Sequence, residues 1–172
     1  LSSGSRTNPW MQESSNKIIQ DGEIVSFDTD MVGPYGYCAD ISRAFVCGNK
    51  FNEHQKKIYS TAVEQIDYNS RLIKDGVSFR EFTEKAWILP EKYYGNRYSV
   101  MLHGIGLCDE WPAIRYPTDG GERSGIFQKN MTITLESYIG EVGGHEGVKL
   151  EQQYLVGENG LELMSHHPLE QI

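Results

Sequence analysis

Two stretches near the start of the chain alternate apolar and polar residues in the manner of β-strands. They are residues 23–31 (EIVSFDTDM) and 37–47 (YCADISRAFVC), both rich in β-branched side chains. The glycines and the proline of residues 33–36 lie between them, which is typical of a hairpin connection. Residues 131–136 (MTITLE) and 148–156 (VKLEQQYLV) repeat the pattern later in the chain. The alternation therefore predicts strands at both ends of the sequence.

The middle of the chain has the spacing of helices instead. Apolar residues at intervals of three or four follow Asn52, a good N-cap residue, and continue until Gly76. A second helix is expected from Ser78, with Glu81 completing a capping box, and Pro90 kinks or divides it. The order of strands, two helices and strands predicts the α+β class, with the helices on one face of a mostly antiparallel sheet.

Length and composition limit the classes of protein that this chain can belong to. Its 172 residues, 38% of them hydrophobic, suffice for one domain, 1–172, with an irregular lead-in at 1–16 and a tail at 165–172. A net charge of −8 argues against a nucleic-acid partner, because binding phosphates needs clustered Lys and Arg. No apolar run reaches the roughly 18–20 residues of a membrane span. Three cysteines without a CxxC pair indicate a reduced, cytoplasmic protein.

Carboxylates occur repeatedly inside these apolar strands, where an unpaired charge is costly. Asp28 and Asp30 are two residues apart and should share a face, and the hairpin can return Asp40 beside them. Glu136 and Glu151 end or interrupt the two later strands. A sheet with five carboxylates on one face needs cations, and bound metal ions are often the largest local charges in such a site.

His103, in the segment HGIG, supplies a nitrogen ligand for such a site. An oxygen-rich set with one imidazole suits Mn, Fe, Co or Zn and disfavours a structural thiolate site. The alternative interpretation is that the acids face solvent or pair with Arg43 and Lys149.

The order of these residues resembles the pita-bread metallopeptidase superfamily, which includes methionine aminopeptidase, aminopeptidase P, prolidase and creatinase. An aspartate strand is followed by DISR (40–43), then by HGIG, and then by two glutamates 15 residues apart. The resemblance extends from about residue 22 to 157 and implies a pita-bread fold, a homodimer, and a chain that is the C-terminal part of a longer catalytic domain. It implies two divalent or transition metal ions (Fe, Mn, Zn or Co) bridged by Asp40 and Glu151. The implied metal ligands are Asp28, Asp40, His103, Glu136 and Glu151, with Asp30 as an additional acid.

The segment HGIGLCDEWP (103–112) departs from the peptidases, because it has acids where they carry a second histidine. It resembles the metal-dependent dimethylsulfoniopropionate lyases of the same fold. The three aspartates of the hairpin have that family's spacing of two and ten residues. Asp109 follows His103 by six residues, and Tyr98 precedes it by five, as in those lyases.

This second resemblance implies a small-molecule substrate and a β-elimination that yields dimethyl sulfide and acrylate. Asp109 would be the base that removes the proton α to the substrate carboxylate, while the metal holds that carboxylate. Tyr98 would be catalytic and would bind the sulfonium through its ring, with Trp111 as a further substrate-binding residue. Two alternatives are a metallopeptidase of the Xaa-Pro type and an inactive member of the fold that only binds.

Overall fold

The computed structural model describes residues 1–48, 50–120 and 124–170. Within these ranges the strands form two antiparallel sheets, whereas the sequence predicted a single sheet. The α+β class, with antiparallel strands and helices, is confirmed. The smaller sheet has the order β1-β2-β3, with β1 (Ser2–Ser3), β2 (Ile24–Val32) and β3 (Cys38–Val46). The larger sheet has the order β5-β4-β6-β7-β8. Its strands are β4 (Val100–Gly104), β5 (Ala113–Arg115), β6 (Thr132–Gly140), β7 (Gly147–Val156) and β8 (Leu161–Leu163).

The first helix, α1 (Glu53–Ser70), begins where the sequence predicted. The Asn52 side chain accepts a hydrogen bond from the Gln55 backbone N–H, and the Gln55 side chain accepts one from the Asn52 N–H, both at 2.9 Å. This reciprocal capping satisfies two donors that the helix itself leaves unpaired. Ile58 and Ala62 lie on its buried face, and the helix packs on β6 and β7.

The second predicted helix is divided into α2 (Phe79–Lys85) and α3 (Glu91–Tyr94), with Pro90 immediately before α3. Ser78 caps α2 by accepting a hydrogen bond from the Glu81 N–H at 3.0 Å. The Glu81 carboxylate forms an ion pair further along the helix and does not complete the predicted capping box. Among the described residues, no helix combines the length and the apolar character that crossing a membrane requires.

Strands β6 and β7 form the centre of the molecule and separate its core from the candidate site. Leu135, Val148 and Leu150 belong to the hydrophobic core. Successive side chains of a strand point to opposite faces. Lys149 and Glu151 therefore point away from that core, and they contact residues of β2 and β3. Charged groups of the larger sheet are thus enclosed between the two sheets.

Residues 2–8 of the predicted irregular lead-in (1–16) are ordered and mostly buried, whereas residues 11–15 have no regular secondary structure and are mostly exposed. Ser2–Ser3 pair with β2, Gly4–Thr7 form a 3-10 turn, and most of this segment is buried. Asn8 donates from Nδ2 to the backbone carbonyls of Glu141 and Gly144 at 2.9 and 2.8 Å. Hydrogen bonds to the β6–β7 turn, far away in sequence, therefore order the segment.

The expected tail is also docked, through its backbone. The Arg43 guanidinium donates to the carbonyl of His167 at 2.5 Å, and the Glu170 N–H donates to the Tyr59 hydroxyl at 2.7 Å. The Ser165 hydroxyl accepts from the N–H of a β7 residue at 2.7 Å. Residues 171 and 172 of the predicted tail lie outside the described residues.

Candidate metal centre

Four of the predicted metal ligands meet in the buried space between the two sheets. Asp40 lies on β3, His103 on β4, Glu136 on β6 and Glu151 on β7, and all four are buried. Glu136 lies directly opposite Glu151 in the ladder, and His103 lies opposite Thr134, two residues from Glu136. Residues two apart share a face of a strand, so strand pairing alone aims the imidazole and both glutamates into one space.

His103 is the centre of this group. Its Nε2 lies 3.2 Å from Glu151 Oε1, 3.5 Å from Glu136 Oε1 and 3.6 Å from Asp40 Oδ2. Its Nδ1 lies 3.0 Å from the Gly104 carbonyl oxygen, which can accept its proton. A histidine that donates from one ring nitrogen to a carbonyl presents the other nitrogen to a metal ion.

One carboxylate oxygen of this group, Asp40 Oδ1, is buried and has no hydrogen-bond partner among the described residues. Two others, Glu136 Oε2 and Glu151 Oε1, accept no well-directed hydrogen bond and lie 3.1 Å from Lys149 Nζ and 3.2 Å from His103 Nε2, respectively. Unpaired buried carboxylate oxygens are costly, and native structures rarely keep them without a partner. Ligand atoms of Asp40, His103 and Glu151 lie within 4.8 Å of one another. The residues present therefore fit a cation that prefers oxygen with one imidazole, such as Mn, Fe, Co or Zn.

Lys149 places an ammonium group at the edge of the same cluster. Its Nζ lies 2.6 Å from Asp28 Oδ2, 3.1 Å from Glu136 Oε2 and 3.6 Å from Glu151 Oε2. The Asp28 carboxylate is thus held by a lysine, as in the alternative interpretation of the sequence. In the structure Asp28 lies beside the group of Asp40, His103 and Glu151 and is not gathered into it.

Ser42 is a further member of the site that sequence reasoning did not select. Its hydroxyl contacts Asp28 Oδ1 and lies 3.0 Å from Glu151 Oε2. A hydroxyl has one proton, so Ser42 can donate to only one of these two carboxylates at a time. The signal for Ser42 was available, because it is two residues from the predicted ligand Asp40 and shares its face. Lys149, two residues from Glu151, was expected as a pairing partner of the acids in the alternative interpretation.

The electrostatics of the cluster follow from burial and from the crowding of acids. Burial alone would lower the pKa of His103, but the neighbouring carboxylates of Asp40, Glu151 and Glu136 raise it to about 11. Burial raises the pKa of Asp40 to about 7, and burial together with Glu151 raises that of Glu136 well above its ordinary value. Although burial opposes it, contacts with His103 and Lys149 lower the pKa of Glu151 to about 2. A metal ion entering this site would displace protons from it.

A second group of acids adjoins the first and shares Asp40 with it. Ligand atoms of Asp30, Asp40 and Asp109 lie within 4.8 Å of one another. Asp30 is exposed and faces Asp40 directly across the β2–β3 ladder, while Asp109 is half-buried in the loop between β4 and β5. The structure therefore brings the predicted base beside two predicted ligands.

Tyr98 lies next to the buried cluster. Lys149 Nζ is 5.3 Å from the centroid of its ring, and the ring of Trp10 stacks on it at 4.2 Å with an interplanar angle of 25°. Burial, followed by the nearby charge of Glu136, raises the pKa of the Tyr98 hydroxyl. Its ring therefore borders the site and already faces a cationic group, as a sulfonium-binding residue would require.

Trp111 occupies a different environment. Its side chain is 65% exposed, and it lines an apolar cavity of about 300 Å³ together with Leu102, Ile114 and Phe127. No ring contact joins Trp111 to Tyr98 in the part of the chain that the structure describes. Tyr98 and Trp111 therefore do not stack on each other, although the cavity that Trp111 lines is also lined by His103 of the buried cluster.

Two antiparallel sheets, helices packed on them and a buried cluster of acids around one histidine agree with the pita-bread resemblance, and the cluster is a candidate metal centre. Residues 1–158 match Metallopeptidase family M24, and the chain belongs to that family. The predicted fold and family are confirmed by this match and by solved structures. The chain is similar to the prolidase from Pyrococcus furiosus (TM-score 0.79, 29% identity) over 98% of its length and 48% of that chain. It is similar to the X-Pro aminopeptidase from Thermotoga maritima (TM-score 0.77, 27% identity) over 98% of its length and 46% of that chain.

Curated relatives include lyases as well as peptidases. The chain is 40% identical over 174 residues to dimethylsulfoniopropionate lyase DddP from Roseovarius nubinhibens. It is 39% identical to the protein of the same name from Roseobacter denitrificans. In both comparisons the match covers 99% of this chain and 39% of the relative. The chain thus spans about two fifths of the length of these lyases.

Proposed function

We propose that this chain carries the metal centre of a lyase that cleaves dimethylsulfoniopropionate into dimethyl sulfide and acrylate. The observation that carries the proposal is the position of Asp109, whose carboxylate lies within 4.8 Å of those of Asp30 and Asp40. A free acid beside a metal site can remove a proton from a substrate held there. The 40% identity to lyases named for this substrate supports the same reaction.

Tyr98 orients the substrate in this proposal. The ring of Tyr98 binds the sulfonium, because an aromatic face attracts a cation most strongly where water is excluded. The ammonium of Lys149, 5.3 Å from the centroid of this ring, is the cation that this face meets in the structure, and a bound sulfonium would share or take that position.

The elimination then balances with one proton transfer. An oxygen of the Asp109 carboxylate takes the proton from the α carbon, and the electrons of that C–H bond form the new double bond. The bond between the β carbon and sulfur breaks, its electrons remain on sulfur, and neutral dimethyl sulfide leaves. Acrylate remains, and Asp109 loses its new proton to solvent before the next turnover.

The buried cluster would hold the metal ions that this family implies. Asp40, His103, Glu136 and Glu151 are the residues that fit them, and Asp28 and Asp30 are the adjoining candidates. We propose two ions, with Asp40 shared, because Asp40 belongs to both groups of ligand atoms. When bound, the ions would supply positive charge that acidifies the proton α to the substrate carboxylate.

A homodimer and a cytoplasmic location complete the proposal. Met31, Val32 and Tyr35 are exposed apolar residues at the tip of the β2–β3 hairpin, a surface that a second copy can cover. The unpaired Cys38 and Cys47 are compatible with a reducing compartment.

A metallopeptidase of the Xaa-Pro type is the second candidate, and the similarity to solved prolidase structures favours it. The loop with Asp109 separates the two candidates. An ionised acid does not donate a hydrogen bond to an oxyanion, which peptide hydrolysis needs. In the peptidase, Asp109 would only border the substrate.

A pair of activity assays on one preparation tests the proposal. The purified chain, loaded in turn with Mn, Fe, Co and Zn and checked by elemental analysis, is given dimethylsulfoniopropionate or dipeptides that end in proline. We expect release of dimethyl sulfide and no peptide cleavage. Glu151→Gln should lose metal and activity together, while Glu158→Gln, at an exposed surface residue, is the matched control. Peptide cleavage without dimethyl sulfide would replace the lyase by the peptidase, and neither activity in metal-loaded protein would support the inactive binding member.

A further inference from the structure

Tyr98 is the first of three aromatic rings that lie in a row. Trp10 stacks on Tyr98 with centroids 4.2 Å apart, and Tyr138 lies on Trp10 with centroids 5.2 Å apart and an interplanar angle of 55°. These rings come from the N-terminal segment, the stretch before β4 and strand β6. Trp10 is thus the central ring of a column that ends at the candidate site.

Hydrogen bonds fix the backbone on both sides of this column. Asn96 donates from Nδ2 to Asn8 Oδ1 at 3.0 Å, so residues two positions before Tyr98 and Trp10 bind each other. The Tyr138 hydroxyl donates to the Thr7 carbonyl at 2.6 Å. The segment that carries Trp10 and the segment that carries Tyr98 are therefore joined side by side at matching positions.

The N-terminal segment can lie this close because two glycines face it. A Cβ at Gly140 would collide with Asn8 Oδ1, and one at Gly147 would collide with the Tyr138 hydroxyl. Gly140 and Gly147 are directly paired at the ends of β6 and β7. The absence of side chains at this pair leaves room for the segment that delivers Trp10.

Trp10 also determines which face of Tyr98 is open. A stacked ring at 4.2 Å covers one face. Lys149 Nζ, 5.3 Å from the same centroid, therefore approaches the other face, and this ammonium also contacts the Asp28 carboxylate. The face of Tyr98 that Trp10 leaves open is turned toward the charged cluster, and Lys149 is the cation that this face meets in the structure.

We propose that Trp10 is a positioning residue that holds the cation-binding face of Tyr98 toward the metal centre, which makes residues 2–10 part of the substrate site. This inference rests on the proposed function, because it assigns Tyr98 to the substrate's sulfonium. Trp10 acts through Tyr98 and does not itself contact the reacting atoms. Offset stacking and edge contacts restrict a ring that would otherwise rotate about two side-chain bonds.

The test measures binding, so that it does not depend on turnover. Calorimetric titration compares 3-(trimethylammonio)propionate, a carboxylate that carries a cationic group, with 4,4-dimethylpentanoate, a carboxylate of the same shape without the cation. Trp10→Leu should weaken binding of the cationic probe roughly 3- to 10-fold and leave binding of the cation-free probe unchanged, since the loss of an aromatic pair is of that size. Trp10→Phe should keep affinity within about 2-fold because it retains a stacking ring. Trp87→Leu, at a half-buried tryptophan outside the column, is the matched control and should change neither affinity.

The outcomes separate this inference from the proposed function. Equal weakening of both probes by Trp10→Leu, or no weakening of the cationic one, overturns the role of Trp10. If Trp10→Leu does not fold, Trp10→Met keeps apolar volume without a flat ring, and the same contrast is expected from it. Charge-dependent binding that needs Trp10, in a protein that releases no dimethyl sulfide, would retain the Trp10–Tyr98 subsite and remove the lyase.

Discussion

The acids of the candidate site lie in two environments. Asp40, Glu136 and Glu151 are 3%, 3% and 0% exposed and form an enclosed half with His103, whereas the open half contains the half-buried Asp28 and Asp109 and the exposed Asp30. Strands β6 and β7 have neighbours on both sides, but β1, the outer neighbour of β2, is only two residues long. One half of the site is therefore enclosed by the core, and the other is open along a hairpin.

The difference in burial suggests different roles for the two halves of the site. The enclosed half holds charges where they are costly, and the structure gives it a lysine and a histidine as counter-charges. The open half leaves Asp30 and the half-buried Asp109 within reach of solvent and substrate. We expect substitutions in the enclosed half to change stability and metal content, and substitutions in the open half to change catalysis.

The largest effect is expected for Asp109→Asn in the open half. The amide keeps the shape of the side chain but cannot accept the α proton, so the rate of dimethyl sulfide release should fall about 10²- to 10⁴-fold. Metal content should stay that of the unmodified protein, measured by elemental analysis, and Glu110→Gln is the neighbouring exposed control. Loss of metal in Asp109→Asn would instead make Asp109 a ligand alongside Asp30 and Asp40.

In the enclosed half, Lys149→Met removes the ammonium that contacts Asp28, Glu136 and Glu151. Removing one partner of a buried ion pair leaves uncompensated charge, so the free energy of unfolding of the metal-free protein should fall by about 3–5 kcal/mol. Urea denaturation monitored by circular dichroism measures it. Lys129→Met, whose ion pair with Glu158 is exposed, should have little effect. Similar stabilities of the two variants would show that the enclosed half does not depend on this counter-charge.

Removing the metal should destabilise the protein by an intermediate amount. A metal ion at 100 times its Kd stabilises the native state by about 2.7 kcal/mol, which for a chain of this length corresponds to a fall in Tm of roughly 5–10 °C on chelation. Scanning calorimetry before chelation, after it, and after addition of Mn, Fe, Co or Zn checks the value and its recovery. An unchanged Tm, in protein shown to contain metal beforehand, would argue against ions between the sheets.

The smallest effect is expected for Ser42→Ala, at the junction of the two halves. It removes the hydroxyl that contacts both Asp28 and Glu151, and a hydrogen bond to a charged group is worth about 1.5 kcal/mol or somewhat more. Urea denaturation should show a loss of about this size, while Ser60→Ala on the exposed face of α1 is the control. A loss as large as that of Lys149→Met would mean that Ser42 couples the two sheets more strongly than one hydrogen bond can.

Local patterns predicted much of this arrangement. Alternation placed the four central strands to within about two residues for most of their ends, and Asn52 caps α1 as expected. The same period of two puts Glu151 and Lys149 on one face of β7, and the alternative interpretation of the sequence named Lys149 as a pairing partner of these acids. The position of a strand and the face on which each of its side chains lies could therefore be predicted from the sequence.

The pairing of strands and segments that are distant in sequence could not be predicted in this way. Alternation says which residues share a face, but not which strands become neighbours, so one sheet was expected where two exist. The Ser, Gly and Asn of residues 1–16 indicate irregular backbone, and they give no sign that Asn8 binds a turn more than 130 residues away. Trp10 was missed for the same reason, because its partners Tyr98 and Tyr138 are distant in sequence.

Glu136 is paired with Glu151 across the β6–β7 ladder, so the length of the β6–β7 turn determines whether these two ligands face each other. A slip of one residue would place Gln152 or Leu150 opposite Glu136 and turn Glu151 toward α1 and the apolar core. A single inserted or deleted residue between Gly140 and Gly147 could therefore abolish metal binding without altering any ligand. Changes in the length of this turn are compatible with metal binding only when they leave the β6–β7 ladder in register. The number of residues in a surface turn therefore helps to determine whether the site can bind metal.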